Sequence, residues 1–96
     1  MKEKPIEEYL RTQIKKLGGK AYKFVSPGNT GVPDRLIVLP GGHIFFVELK
    51  SSTGKPTPLQ TVKIKELKDL GADVLIVNSK DDVNWLISCC KEVMRS

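Results

Sequence analysis

The sequence predicts an α/β protein in which helices flank a mixed four-stranded sheet. Three observations carry that prediction. Hydrophobic periodicity runs in the order helix, strand, hairpin, helix, strand, helix. The stretch Gly31 to Lys50 reads as two short apolar strands joined at Pro40-Gly41-Gly42. The continuous run Val74-Leu75-Ile76-Val77 follows a helix, so its strand should return parallel to the second hairpin strand through a β-α-β crossover. With 96 residues, the chain suits one domain over 1–96 and a two-layer or thin three-layer core.

The first helix is expected from about Pro5 to Leu17, with Pro5 at its first position and Gly18-Gly19 ending it. At about 100° per residue, Ile6, Leu10, Ile14 and Leu17 form one stripe. Glu7 lies at the stripe's edge, whereas Glu8 points away from it. Glu7 can therefore lean over the sheet, although favourable charge in a helix's first turn explains it equally simply. Lys20 to Val25 reads as the first strand, and Ser26 to Gly31 is a breaker cluster. Its backbone N–H groups are available to a phosphate, with Asn29 and Thr30 as candidate contacts.

Two strands then follow with an acid at the outer end of each. If Leu39 and His43 close a three-residue loop, antiparallel partners have positions summing to 82, and Asp34 stands opposite Glu48. Like charges at about 5 Å are destabilising, a cost that a divalent cation would reverse. Strand alternation puts Lys50 on the same face as Glu48 and turns Leu49 the other way. Asp34, Glu48 and Lys50 thus form a candidate site. A turn cap at Asp34 and ordinary polar strand ends at Glu48 and Lys50 are the bland alternative. Against it, the preceding run Ile44-Phe45-Phe46-Val47 is apolar on both faces, as in an interior strand where charges need a partner or a metal.

The second helix has clear start signals: Thr57 as N-cap, Pro58 at the first position, and Gln60 in the capping-box position. Leu59, Val62, Leu67 and Leu70 are its expected apolar face, ending at Gly71, with Lys63, Lys65 and Lys68 exposed. Lys55, in the preceding loop, and Lys63 are candidate contacts to phosphate that ordinary solvated lysines would also explain. Ser79 and Asp82 open the third helix, which runs to about Met94 with Val83, Leu86, Ile87, Cys90, Val93 and Met94 on one stripe. Trp85 lies opposite that stripe and is a candidate dimer anchor. Arg95 and Ser96 are expected to fray.

Sixteen Lys and Arg against 11 Asp and Glu give a net charge of +5, a bias towards polyanionic partners. Adjacent Cys89 and Cys90 cannot readily form a structural disulfide with each other, which suggests a reducing compartment. No cysteine-histidine spacing supports zinc. No stretch reads as a signal peptide or approaches transmembrane length. A protein of the cytoplasm, or of a host cell's cytoplasm, with no membrane partner is expected.

The pair Pro33-Asp34 followed by Glu48-Leu49-Lys50 is the PD-(D/E)xK nuclease motif. Together with KFVSPGNTGVPD from Lys23 to Asp34, LPGG before the second hairpin strand, VELK from Val47 to Lys50, and Gln60, it resembles the virus-type replication and repair nuclease (VRR-NUC) domain. The resemblance covers roughly Ile6 to Asn78 and is closest to stand-alone viral or bacterial members. It implies a restriction-endonuclease-like fold, metal binding by Glu7, Asp34 and Glu48, a catalytic role for Lys50 and a supporting one for Gln60. It also implies Mg²⁺ or Mn²⁺ as cofactor and phosphodiester hydrolysis in DNA. The preferred substrate on this reading is branched or junction DNA, cut by a homodimer with two active sites. Lys50 can orient or deprotonate water, or remain cationic and stabilise the transition state; the nearby Glu48 favours the second. A basic protein that binds nucleic acid or repair partners without turnover is the alternative.

Overall fold

The computed structural model describes residues 2–95. Its elements are α1 (Glu3–Lys16), β1 (Lys20–Lys23), β2 (Arg35–Leu39), β3 (His43–Leu49), α2 (Pro58–Asp69), β4 (Val74–Val77) and α3 (Lys80–Arg95). They build the expected mixed four-stranded sheet in the order β1-β2-β3-β4. The first two pairings are antiparallel and β3 with β4 is parallel. Leu39 pairs with His43 across the turn and Arg35 with Val47 at the far end, which is the expected register. Among the described residues, no helix is long and apolar enough to cross a membrane.

Strand alternation turns Ile37, Leu39, Phe45, Val47, Leu49 and Val77 to one sheet face. There they form a single buried cluster with Ile6, Leu10 and Ile14 of α1 and Val83, Leu86, Ile87 and Cys90 of α3. α1 and α3 pack against each other on that face. The Tyr9 hydroxyl, which donates to Asn84 Oδ1 at 2.6 Å, joins the two helices at their rim. α1 begins at Glu3, two residues before the expected start, so Pro5 lies within the first turn. No intrahelical bond is lost, because the first backbone N–H groups of a helix lack partners in any case. α3 opens as expected, with the Asp82 N–H donating to Ser79 Oγ at 3.0 Å and the Asn78 N–H to Asp82 Oδ2 at 3.0 Å. Val93 departs from the expected stripe and is exposed. Burial pushes the Cys90 thiol up to about 11, consistent with a packed small hydrophobe. Ser96 lies outside the described residues.

The other face is covered by α2 only in part. Its capping box is complete: Gln60 N–H donates to Thr57 Oγ1 at 3.1 Å, and the Thr57 N–H donates to Gln60 Oε1 at 2.9 Å. The expected apolar face is corrected, however. Leu59, Val62 and Leu70 are exposed, while Ile64 is the buried residue. Gln60, Lys63 and Leu67 are half-buried. At about 100° per residue, the inward side is thus rotated by roughly a quarter turn from the apolar stripe. That rotation brings Gln60 towards the protein and leaves an apolar ridge in solvent.

Candidate active site

Carrying the β2–β3 register one residue past Arg35 and Val47 puts Asp34 opposite Glu48. Two bonds fix Asp34 there. Its carbonyl accepts from the Phe24 N–H at 2.8 Å, and its Oδ1 accepts from the Leu49 N–H at 3.1 Å. Pro33, fully buried before it, restricts Val32 to an extended entry into the strand. The Asp34 carboxyl is pushed from 3.8 up to about 6, first by burial and then by the Glu48 charge. The Leu49 N–H opposes that rise, and Glu3 adds to it.

Glu48 is the one charged residue buried among the described residues, at 2% exposure. Lys50 Nζ lies 2.9 Å from its Oε2. Its Oε1 has no hydrogen-bond partner among the described residues. A buried carboxylate oxygen left without a donor is costly, and a carboxylate held beside a second one in a half-dry site is more so. Carboxylate oxygens are hard donors of the kind a Mg²⁺-sized cation takes, so the arrangement fits such an ion held by Asp34 and Glu48.

The structure gathers Asp34, Glu48 and Lys50, as the register anticipates. It places Glu7 differently. Glu7 Oε1 lies 2.6 Å from Arg35 Nη2 and 4.0 Å from Arg11 Nη1, so the helix acid is held by the guanidinium of the residue next to Asp34. Among the described residues, no three His, Cys, Asp or Glu side chains converge to hold a metal ion. Gln60 Oε1 is committed to the capping box, so that site role would fall to its other amide atom or require the cap to open. Asn29 is tied within its loop to Ser26 Oγ at 2.9 Å, Thr30 and Lys55 are exposed, and Lys63 Nζ lies 3.6 Å from Glu66.

Two residues escape a reading of the sequence. Arg35 is a β2 residue whose partner, Glu7, is distant in the chain. Glu3 lies four residues before Glu7, hence on the same side of α1, and its charge acts on Asp34. The four-residue spacing of the two acids is the signal that could have found it.

An acid entering one strand, and Glu-x-Lys at the end of its neighbour, on an α/β sandwich whose helix acid approaches the same end, define the PD-(D/E)xK class of nuclease fold. No model of a known protein family matches the sequence. A solved structure described as a VRR_NUC domain superposes with a TM-score of 0.84 at 36% identity, covering 90% of this chain and 94% of that one. A protein of Acyrthosiphon pisum secondary endosymbiont phage 1, named "Putative nuclease p44", is 49% identical over 81 residues, 84% of this chain and 87% of the relative. The chain belongs to the VRR-NUC family of nucleases.

Proposed function

We propose that the protein is a metal-dependent DNA endonuclease that hydrolyses phosphodiester bonds with Mg²⁺ or Mn²⁺. The observation that carries this reading is the buried Glu48, with one oxygen on Lys50, the other unpartnered, and Asp34 opposite. Asp34 and Glu48 would hold the cation, with Glu7 joining them on leaving Arg35. The chemistry such a cation supplies when bound is polarisation of the phosphoryl group and acidification of an attacking water. Glu48 holds Lys50 Nζ at 2.9 Å, where it would stand beside the reacting phosphate. Lys50 therefore orients the nucleophile and offsets negative charge that grows in the transition state. The Leu49 N–H holds Asp34 in one rotamer, so the acid is positioned before substrate arrives.

Branched duplex DNA is the proposed substrate and a homodimer the proposed assembly, each protomer addressing one strand. The chain has little surface for reading a long base sequence, and its described aromatic residues form no stacking platform for single strands beyond the Phe24–Phe46 pair. Trp85 is 61% exposed and, with the exposed Val93, rims an apolar cavity of about 310 Å³ between α3 and the start of β3. These are features of a surface that another copy can cover. Cleavage of a four-way junction and of a linear duplex of equal sequence, in Mg²⁺ and in EDTA, tests the reading. Metal-dependent paired cuts with junction preference are expected. Binding without cleavage in Mg²⁺ would make the protein a nucleic-acid-binding one instead.

A further inference from the structure

On the α1 side of the sheet, away from the acids, a cavity of about 560 Å³ opens between the second half of α1 and the edge strand β1. It is lined by Arg11, Thr12, Lys15, Gly19, Lys20 and Ala21. Three of those six residues are cationic and no acid is among them. The floor is kept low by Gly19: a Cβ there would meet the Val38 carbonyl oxygen at 2.7 Å, Leu39 Cδ2 at 3.0 Å and Ile14 Cγ2 at 3.1 Å. Since β1 ends the sheet, its outer edge presents backbone N–H groups that no neighbouring strand takes up. Thr12 adds a hydroxyl. Lys20 Nζ sits 4.9 Å over the Tyr22 ring, while Arg11 and Lys15 line the cavity from α1. They are four residues apart on α1, about 6 Å along the axis, close to the rise of two nucleotides in one strand.

Charged side chains span the distance between the cavity, which lies beside Val38 and Leu39, and the candidate active site at the other end of β2. Arg11 reaches to 4.0 Å from Glu7, Glu7 holds Arg35 at 2.6 Å, and Arg35 is bonded to Asp34 through the chain. Opposite Arg35, Lys23 is exposed at the end of β1. A line of cations thus runs from the reacting end of the sheet down the outside of α1.

We propose that this groove holds the phosphodiester backbone of the DNA arm flanking the cut, with Arg11 and Lys15 as its phosphate contacts. The proposal rests on the nuclease reading and adds to it the path that the substrate takes away from the site. Lysines on an edge strand also discourage strand pairing between molecules, and that role alone would give them no phosphate contact.

The test is binding of a fluorescent duplex in EDTA from 50 to 200 mM salt, using wild type, the Arg11→Gln/Lys15→Gln double variant, Lys15→Arg, and Lys91→Gln as a control of equal kind on exposed α3. Each lost phosphate contact lowers the slope of log affinity against log salt by about 0.9, or about 1.8 for the double variant. The fourfold rise in salt should then cost it about 12-fold less affinity than it costs wild type. Lys15→Arg and Lys91→Gln should keep the wild-type slope. Wild-type binding with the same slope in the double variant would overturn the groove, and so would a slope that Lys91→Gln lowers equally. Wild type that cleaves no DNA in Mg²⁺ and binds none in EDTA would instead remove the nuclease reading itself.

Discussion

Replacing Asp34 by Asn should stabilise the metal-free protein while abolishing cleavage. The carboxyl is raised from 3.8 to about 6 by burial and by Glu48, so its ionised form is penalised in the folded state. Between those two pH values the native state holds a proton that the unfolded chain has released. Stability therefore falls as pH rises through this window, and the full penalty stands above about pH 6. At about 1.4 kcal/mol for each tenfold change, the ceiling is roughly 3 kcal/mol. Water reaching the half-buried site screens part of it, leaving roughly 1–2 kcal/mol. Asn keeps an oxygen for the Leu49 N–H, which is 3.1 Å from Oδ1, and carries no charge. Urea unfolding in EDTA should find the variant more stable by that amount at pH 8 and equal to wild type near pH 4. Adding Mg²⁺ should then stabilise wild type and not the variant. A variant less stable than wild type at pH 8, or a difference independent of pH, would show that the Asp34 charge does not destabilise the folded protein.

Lys50→Ala leaves Glu48, 2% exposed, without the ammonium at 2.9 Å; it should lose about 1–3 kcal/mol in urea unfolding and at least about 100-fold in single-turnover cleavage, and wild-type cleavage would remove Lys50 from the mechanism. Glu7→Gln should raise the Mg²⁺ concentration needed for half-maximal cleavage, whereas Glu8→Gln should overlay wild type; coincident curves for both would make Glu7 only the partner of Arg35. Gly31→Ala should lower stability by about 1–3 kcal/mol in thermal unfolding, because φ is +93° and a Cβ would meet Leu59 side chain and backbone at 3.0–3.2 Å; an unchanged transition would mean that the loop does not pack on α2.

Where a short-range rule governs, the sequence was a sufficient guide. The turn at Pro40–Gly42 sets the register through Leu39 and His43, and with it the opposition of Asp34 and Glu48. The Thr57–Gln60 capping box is equally local. α2 departs from the expected face because its apolar residues outnumber those it buries. Counting apolar positions selects Leu59, Val62 and Leu70, whereas the helix touches the protein through a narrower stripe around Ile64. The pairing of Glu7 with Arg35 depends on how α1 docks on β2, which no spacing along the chain encodes. The helical projection distinguished Glu7 from Glu8 correctly, since Glu7 is half-buried and Glu8 exposed, but could not supply the guanidinium that meets it.

Buried Glu48, with Asp34 and Lys50, is the proposed metal-dependent phosphodiesterase centre. Its most direct test is the cleavage rate of four-way junction DNA by wild type and Glu48→Gln across a Mg²⁺ titration, with EDTA as the zero point. Wild type should cut only when Mg²⁺ is present, and a folded Glu48→Gln should not cut at any concentration. Cleavage in EDTA, or wild-type rates from the variant, would contradict the claim.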